Sequence, residues 1–491
     1  MAVAQGSCPS CGAPVEYGLG ASMAKVCEYC HATVARTDRG LENLGKVADI
    51  ANTPSLIAVG DEGTLRGRPF RVFGRVQLDY GLGPWDEYYV AFDNGQRWGW
   101  LAFAEGRWYA TEKVEGLDVP PHQSLRLEQD VRLGSHGVYR ITEVRSARVV
   151  SAEGELPEAA PPGQARYYAD ANGLRWSFAT LDYGDGQSRP EVFLGFAFGE
   201  PELQVTQLGP RSAQKVKITK LECPSCGGDI PKLSGDRVDR IGCPYCGALS
   251  EIATARIISR QELLRQQPDI PIGSQGLFRQ DGYICIAYLR RSADFEGERY
   301  GWEEYLLWSH TQGYHWLVKD PETGWTWASN INIADINMQT MPNAAKFNGR
   351  HFRLRNQSRV RVDYVLGEIY WKCAVGELTR SADYVSGREV LSREEYPGEV
   401  KWSHSLPIPW TVLAQTFSLP VDGPGSRVPG GGDGFPELGG GASGSGPQVA
   451  RAIGLLLFVM LACAFFAVSG TGAGGVVSSG YRGGGIYVGG K

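Results

Sequence analysis

Eight of the eleven cysteines fall into four Cys-x-x-Cys pairs, and these residues are the ones best suited to chemistry. Cys8 and Cys11 are followed by Cys27 and Cys30, with fifteen residues between the pairs. Cys223 and Cys226 are followed by Cys243 and Cys246, with sixteen between. A Cys-x-x-Cys turn presents two thiolates to one ion, and two such turns complete a tetrahedral four-sulfur shell. Gly12, Gly227 and Gly247 sit just after the second thiol of three pairs, where a tight turn needs positive φ, and His31 takes that place after Cys30. Four thiolates leave no open position for a substrate, so the expected cofactor is structural zinc, two ions per chain. An iron-loaded, rubredoxin-like redox centre is the alternative for the same ligands. Cys285, Cys373 and Cys463 are isolated.

A second set of residues recurs. Trp85-Asp86-Glu87-Tyr88 in the first half matches Trp302-Glu303-Glu304-Tyr305 in the second. In a strand, alternate residues share a face, so Trp85 pairs with Glu87 and Trp302 with Glu304, while Asp86 and Glu303 point the other way. Carboxylates on opposite faces do not converge for acid–base work. A solvent-facing strand edge is the favoured reading. The functional alternative makes Trp85, Glu87, Trp302 and Glu304 a ligand or partner contact, with a cation or polyamine held beside aromatic faces. His310 and His315 flank Gly313 and read as part of a hairpin turn rather than a metal pair; His122, His136, His351 and His404 have no sequence partner. Thirteen tryptophans read as core and cross-strand pairs. The chain contains no Walker A loop, no dinucleotide-binding glycine pattern, no nucleophile elbow and no His-Glu-x-x-His.

The elements that must position these residues are mainly strands. Alternation in Phe70-Arg-Val72-Phe-Gly-Arg-Val76 is strand-like. Two short helices are expected after the cysteine clusters. Leu41, Leu44, Val47, Ala48 and Ala51 have helical spacing. Ser259-Arg-Gln-Glu262 is a capping-box pattern before Leu263 and Leu264. Pro54 and Pro268 close them.

The two halves run in parallel. Gly60-Asp-Glu-Gly63, Trp85, Trp100-Leu101 and Trp108 match Gly273-Ser-Gln-Gly276, Trp302, Trp316-Leu317 and Trp325, and Gly154-Glu-Leu156 is paired with Gly376-Glu-Leu378. A unit of ribbon, helix and β domain is therefore duplicated at a spacing of about 215 residues. This glycine, Trp-acid-Tyr and Trp-Leu series resembles the bacterial family DUF4178, a domain of unknown function, over most of residues 8–420. Members of that family commonly carry an N-terminal zinc ribbon, and the resemblance carries over no established activity. Its members tend to be encoded near polyamine-synthase-like and membrane-stress proteins, which implies a membrane-linked role.

Residues 422–448 are Gly, Pro and Ser-rich and read as a flexible linker. Ala452 to Val468 is uncharged, and seventeen residues at about 1.5 Å each span roughly 26 Å. With its neighbours, 449–470 reads as a transmembrane helix, and Arg451 can snorkel to the interface. The Gly-rich tail 471–491 cannot bury a core. Charges flanking the span are nearly balanced, so orientation rests on the thiols: zinc thiolates favour a reducing compartment. The N-terminus has no basic n-region and no apolar h-region.

The expected architecture is mainly β. It has a zinc ribbon at 8–35, a β domain at 55–210, a second ribbon at 223–255, a second β domain at 268–420, and one C-terminal span. The charge of −5 and pI near 5.9, with no basic stripe, argue against nucleic acid. The function expected is a membrane-tethered adaptor or scaffold. It would be single-pass, with cytoplasmic N-terminal domains and a protein partner engaged bivalently. The alternative is an enzyme or sensor binding a small cationic or lipid-derived molecule at the repeated acidic-aromatic motif. A third reading is an assembly protein whose terminal helix oligomerises.

Overall fold

The computed structural model describes residues 4–17, 24–46, 55–207 and 220–426, apart from short breaks at 28, 31, 38–39, 81–83, 105–106, 187–188, 235–237, 253–254, 265–266, 296–297, 311, 339–341 and 372. The terminal span, the tail and the linker from residue 427 onward lie outside the described residues. Among the described residues no helix is long and apolar enough to cross a membrane.

Each half closes into an antiparallel eight-stranded barrel. In the first, Arg68–Asp79, Pro84–Phe92, Arg97–Ala104 and Arg107–Val114 form one meander. Val138–Leu156, Ala165–Asn172, Ser177–Gly184 and Glu191–Phe198 form another. Arg107–Val114 pairs with Glu191–Phe198, and Val138–Leu156 pairs back with Arg68–Asp79, so no edge remains open. The second barrel repeats this circuit. Its first meander is Asp281–Phe295, Glu298–Ser309, Gly313–Asp320 and Gly324–Asn330. Arg350–Ile369, Leu378–Ser386, Glu389–Tyr396 and Glu399–Pro407 follow, closed by the same two pairings. Eight strands enclose a space just wide enough for packed side chains or one small ligand.

Side-chain alternation sorts each strand into an inner and an outer face. In the first barrel Val76, Leu78, Trp85, Trp100, Tyr168, Phe178 and Phe193 form the inner cluster. Val72, Tyr88, Val90, Leu101 and Trp108 form an outer one. That outer patch is covered by the strand Leu203–Gln207, which pairs with Glu62–Leu65. In the second barrel the corresponding cover is a helix, Trp410–Thr416. Its Trp410, Leu413 and Ala414 fall on one face and bury against Tyr305, Leu317 and Trp325. The chain stays docked as far as Gly425, whose carbonyl accepts a hydrogen bond from Trp325 Nε1 at 3.0 Å.

Where the structure describes the segments expected as helices, they are strands or extended chain. Gly40–Lys46, which contains Leu41 and Leu44, pairs with Ala32–Thr37; Gly40, Asn43 and Gly45 weaken any helix there. Val47, Ala48 and Ala51 lie outside the described residues. Ser259 falls in the strand Arg256–Arg260, where Ile257 and Ile258 favour extended backbone. Gln261 then uses its side chain as a strand would use its backbone. Its Oε1 accepts from Val365 N–H at 2.7 Å and its Nε2 donates to Val365 O at 3.0 Å, so the chain is fixed to the barrel instead of coiling.

The long strands Val138–Leu156 and Arg350–Ile369 leave the barrels and pair with the cysteine-bearing ribbons. Leu156 pairs with Ala24, and Ile369 with Arg240. This fixes the true repeat of Gly154-Glu-Leu156, which is Gly367-Glu-Ile369 and not the Gly376 segment. Gly154 and Gly367 have φ of +73° and +86°, and a Cβ at either would stand 2.3 Å from a carbonyl oxygen, that of Phe73 or Ile286. Gly376 has positive φ but no such close approach. The two barrels also touch. Arg393 pairs with Glu128 at 2.9 Å, Arg145 with Glu399 at 3.1 Å, and Val144 N–H donates to Gly398 O at 2.9 Å.

Candidate metal centres and acidic sites

Each four-cysteine group is assembled from two turns of the same form. Cys8 O accepts from Gly12 N–H, Cys223 O from Gly227 N–H and Cys243 O from Gly247 N–H, at 2.8 to 3.1 Å. The three glycines have φ between +68° and +76°, as the turn requires. His31 lies outside the described residues. The sulfurs converge: Cys8 to Cys30 is 3.7 Å, Cys11 to Cys27 is 3.8 Å, and Cys223 to Cys246 and Cys226 to Cys243 are each 3.8 Å. A regular tetrahedron of thiolates about 2.3 Å from zinc would place its sulfurs about 3.8 Å apart. The donor set and spacing therefore fit a zinc ion, with all four positions taken by protein. The Ala32 N–H holds Cys30 down at about 6, and burial of Cys246 is outweighed by hydrogen bonds from the Ala248 N–H and Ser225, which bring it to about 7. In both groups the first thiol of each pair is buried and the second is more exposed. Cys285 and Cys373 are buried singly in the second unit.

The acidic-aromatic motifs do not sit on a solvent-facing edge. Pro84–Phe92 and Glu298–Ser309 are interior strands of closed barrels, so Glu87 and Glu304 are 1% and 2% exposed. The shared face of Trp and Glu is as alternation requires. Trp85 Nε1 donates to Glu87 Oε1 at 2.9 Å, and Trp302 Nε1 to Glu304 Oε1 at 2.9 Å. On the opposite face Asp86 meets Arg75 at 2.9 Å and Gln77 at 3.1 Å, while Glu303 accepts from Tyr305 Oη at 3.0 Å. The two members of each acid pair therefore serve different environments.

Beyond that motif the two barrels differ. Register equates Leu78, opposite Trp85, with Arg291, opposite Trp302. Arg291 is fully buried and bridges two carboxylates, Glu304 at 3.2 Å and Glu394 at 2.7 Å. Those carboxylates hold its pKa well above the ordinary value, although burial alone would lower it. Register also equates Asp170 with Asp383. Each accepts one hydroxyl at 2.7 Å, from Thr180 and Ser392 respectively, which confirms the alignment. Burial pushes the Asp383 carboxyl up. Among the described residues of the first barrel, a cavity of about 20 Å³ lies beside Glu87 and Trp100. The second encloses about 550 Å³, with Trp302, Glu304, Asp383 and Glu394 in its wall.

His310 and His315 do not form a metal pair but belong to a hairpin. Ser309 and Gly313 close a hairpin between His310 and His315. His315 is buried against Tyr283 and Trp327, with Nδ1 3.2 Å from Ser329 Oγ.

The family model described as Domain of unknown function (DUF4178) matches residues 58–197 and 271–409. The chain belongs to the DUF4178 family. Each match covers one barrel, so a DUF4178 unit here is the eight-stranded closure itself, and the four-cysteine ribbons stand outside both matches. No curated protein and no solved structure matches the chain. The DUF4178 name assigns no activity, so chemistry must be argued from the residues. Sequence reasoning picked out Trp302 and Glu304 but missed Arg291, Asp383 and Glu394. The available signal was an arginine in a core-facing strand position where the first copy has leucine.

Proposed function

We propose that this chain is a non-catalytic binding module. Zinc holds its ribbons, and segment 449–470 tethers it to a membrane with the paired barrels on the cytoplasmic side. One observation carries the reading: each four-sulfur group is closed and its ribbon is sewn into a barrel by main-chain pairing. Such metals stabilise a scaffold and leave no open coordination position for substrate. Two related barrels on one chain suit an adaptor that engages its protein partner at two places, which raises effective concentration. The exposed Tyr29 and Tyr245 occupy the same position in the two ribbons and suit such repeated contact.

The test is in-cell crosslinking with affinity purification, comparing the full chain with one ending at Ser426, so that the docked Gly425 is kept. A defined partner set recovered from the membrane fraction only with the full chain supports the proposal. Equal soluble recovery of both forms, without partners, refutes it.

A second reading is favoured by the second barrel. A cavity of about 550 Å³ is of the size that small-molecule sites have, which supports a sensor or carrier of a small molecule.

A further inference from the structure

The geometry points to the interior of the second barrel as a binding site for a small organic cation bearing a guanidinium or ammonium group, with the first barrel its permanently filled structural twin. This rests on the small-molecule reading above.

The two interiors can be compared position by position, because the strand register is the same. Tyr109 and Thr326 are equivalent, each paired across from the residue that follows the repeated Trp-Leu (Ala102 and Val318). Tyr168 and Ser381 are equivalent through their pairings with Asp182 and Glu394. Phe193 and Ser403 are equivalent through Thr180 and Ser392. The first-barrel residues are inner-core aromatics, packed on Trp85 and its neighbours. Their second-barrel counterparts are small and hydroxylated, and all three line the cavity. Losing aromatic rings from a closed barrel would leave a destabilising void unless something fills it. An aromatic ring is lost at three positions around one space, and a small hydroxyl side chain stands at each, new at Ser403 and kept without the ring at Thr326 and Ser381. That is how a site is built, and it is unlike a packing defect.

The wall also says what fits. Six carboxylates line the space: Glu298, Glu304, Asp320, Glu322, Asp383 and Glu394. Two guanidinium groups, Arg299 and Arg355, line it with them, and Arg291 stands behind Glu304 and Glu394. Negative charge therefore exceeds positive. The Asn356 Oδ1, buried in the same wall, accepts no hydrogen bond from the protein, so the wall calls for a donor. Arg291 shows that the Glu304 and Glu394 carboxylates accept a guanidinium between them. Trp302, half-buried where its twin Trp85 is buried, adds an aromatic surface beside Tyr300. An anion would meet repulsion here, and an apolar molecule would strip water from the carboxylates without replacing it.

The test is calorimetric titration of the full-length chain with agmatine, which carries a guanidinium and an ammonium, beside glucose and succinate as neutral and anionic probes. Agmatine should bind and succinate should not. Asp383→Asn should weaken agmatine at least tenfold with metal content retained, and Glu394→Gln should do the same when titrated well below its melting temperature, which falls because buried Arg291 loses one of its two carboxylates. Ser403→Phe, which installs the first barrel's residue, should abolish binding. Glu87→Gln in the first barrel should leave it unchanged. If glucose binds in the same cavity and agmatine does not, the cation assignment falls while the small-molecule reading stands. If no probe binds at millimolar concentration, both fall. Agmatine binding that survives Ser403→Phe, Glu394→Gln and Asp383→Asn overturns the assignment to this cavity.

Discussion

His315 gives the sharpest quantitative prediction. Burial lowers its pKa from 6.5 to about 4, and the positive charge of Arg107 pushes the same way. In the unfolded chain the imidazole titrates at its ordinary value. Between pH 6.5 and 4 the unfolded state thus binds a proton that the folded state refuses, and stability rises with pH across that window. At pH 4 the linkage amounts to about 3 kcal/mol, at 1.36 kcal/mol per pKa unit. Above pH 6.5 the contribution is fully present, and it is lost as pH falls towards 4. Glu143 works in the opposite direction: burial pushes its carboxyl up, Arg145 partly offsets this, and its contribution is lost as pH rises above the ordinary carboxylate range. A pH profile of the wild type alone would mix the two. The measurement is therefore a difference, the urea unfolding of the full chain against His315→Gln, followed by tryptophan fluorescence at pH 7 and pH 4. Gln keeps a partner for Ser329 but cannot titrate. The stability gap between the two proteins should narrow by about 3 kcal/mol at the lower pH. Zinc loss and Glu143 act on both proteins and cancel. An unchanged gap, or an NMR resonance of His315 titrating near 6.5, would refute the reasoning.

Three further outcomes are expected. Metal analysis of the full chain should return two zinc ions per chain, and Cys27→Ser or Cys243→Ser should each remove one; fewer than two in a fully folded protein would sink the ribbon assignment. Gly154→Ala and Gly367→Ala should each destabilise their barrel by at least about 2 kcal/mol, because both place a Cβ at positive φ against a carbonyl; an unchanged melting temperature would contradict the close approach. Trp302→Phe removes the indole donor to Glu304 and should destabilise the second barrel by about 1–2 kcal/mol. Trp85→Phe should do the same in the first barrel, and no shift in either melt would mean the Trp–Glu bond contributes nothing.

The sequence by itself determined whatever depends on short spacing. Four Cys-x-x-Cys pairs specify two four-sulfur groups because a tight turn brings residues three apart together whatever surrounds it. Alternation in an extended chain put Trp85 with Glu87 and Trp302 with Glu304, and duplication was visible because those signatures recur in order. What spacing could not decide was the environment of each face. Glu87 and Glu304 read as edge residues until barrel closure paired their strands on both sides and buried them. Leu41, Leu44 and Ser259 carried helical or capping patterns, yet neighbouring strands offered their backbones better partners, since hydrogen bonding across a sheet depends on residues far away in the chain. Only tertiary register could equate Gly154 with Gly367, or reveal that Leu78, Tyr168 and Phe193 became Arg291, Ser381 and Ser403. Those exchanges lie on strands separated by long stretches of sequence. They become one feature, a filled interior in one barrel and a hollow acidic one in the other, only when eight strands close around a common space.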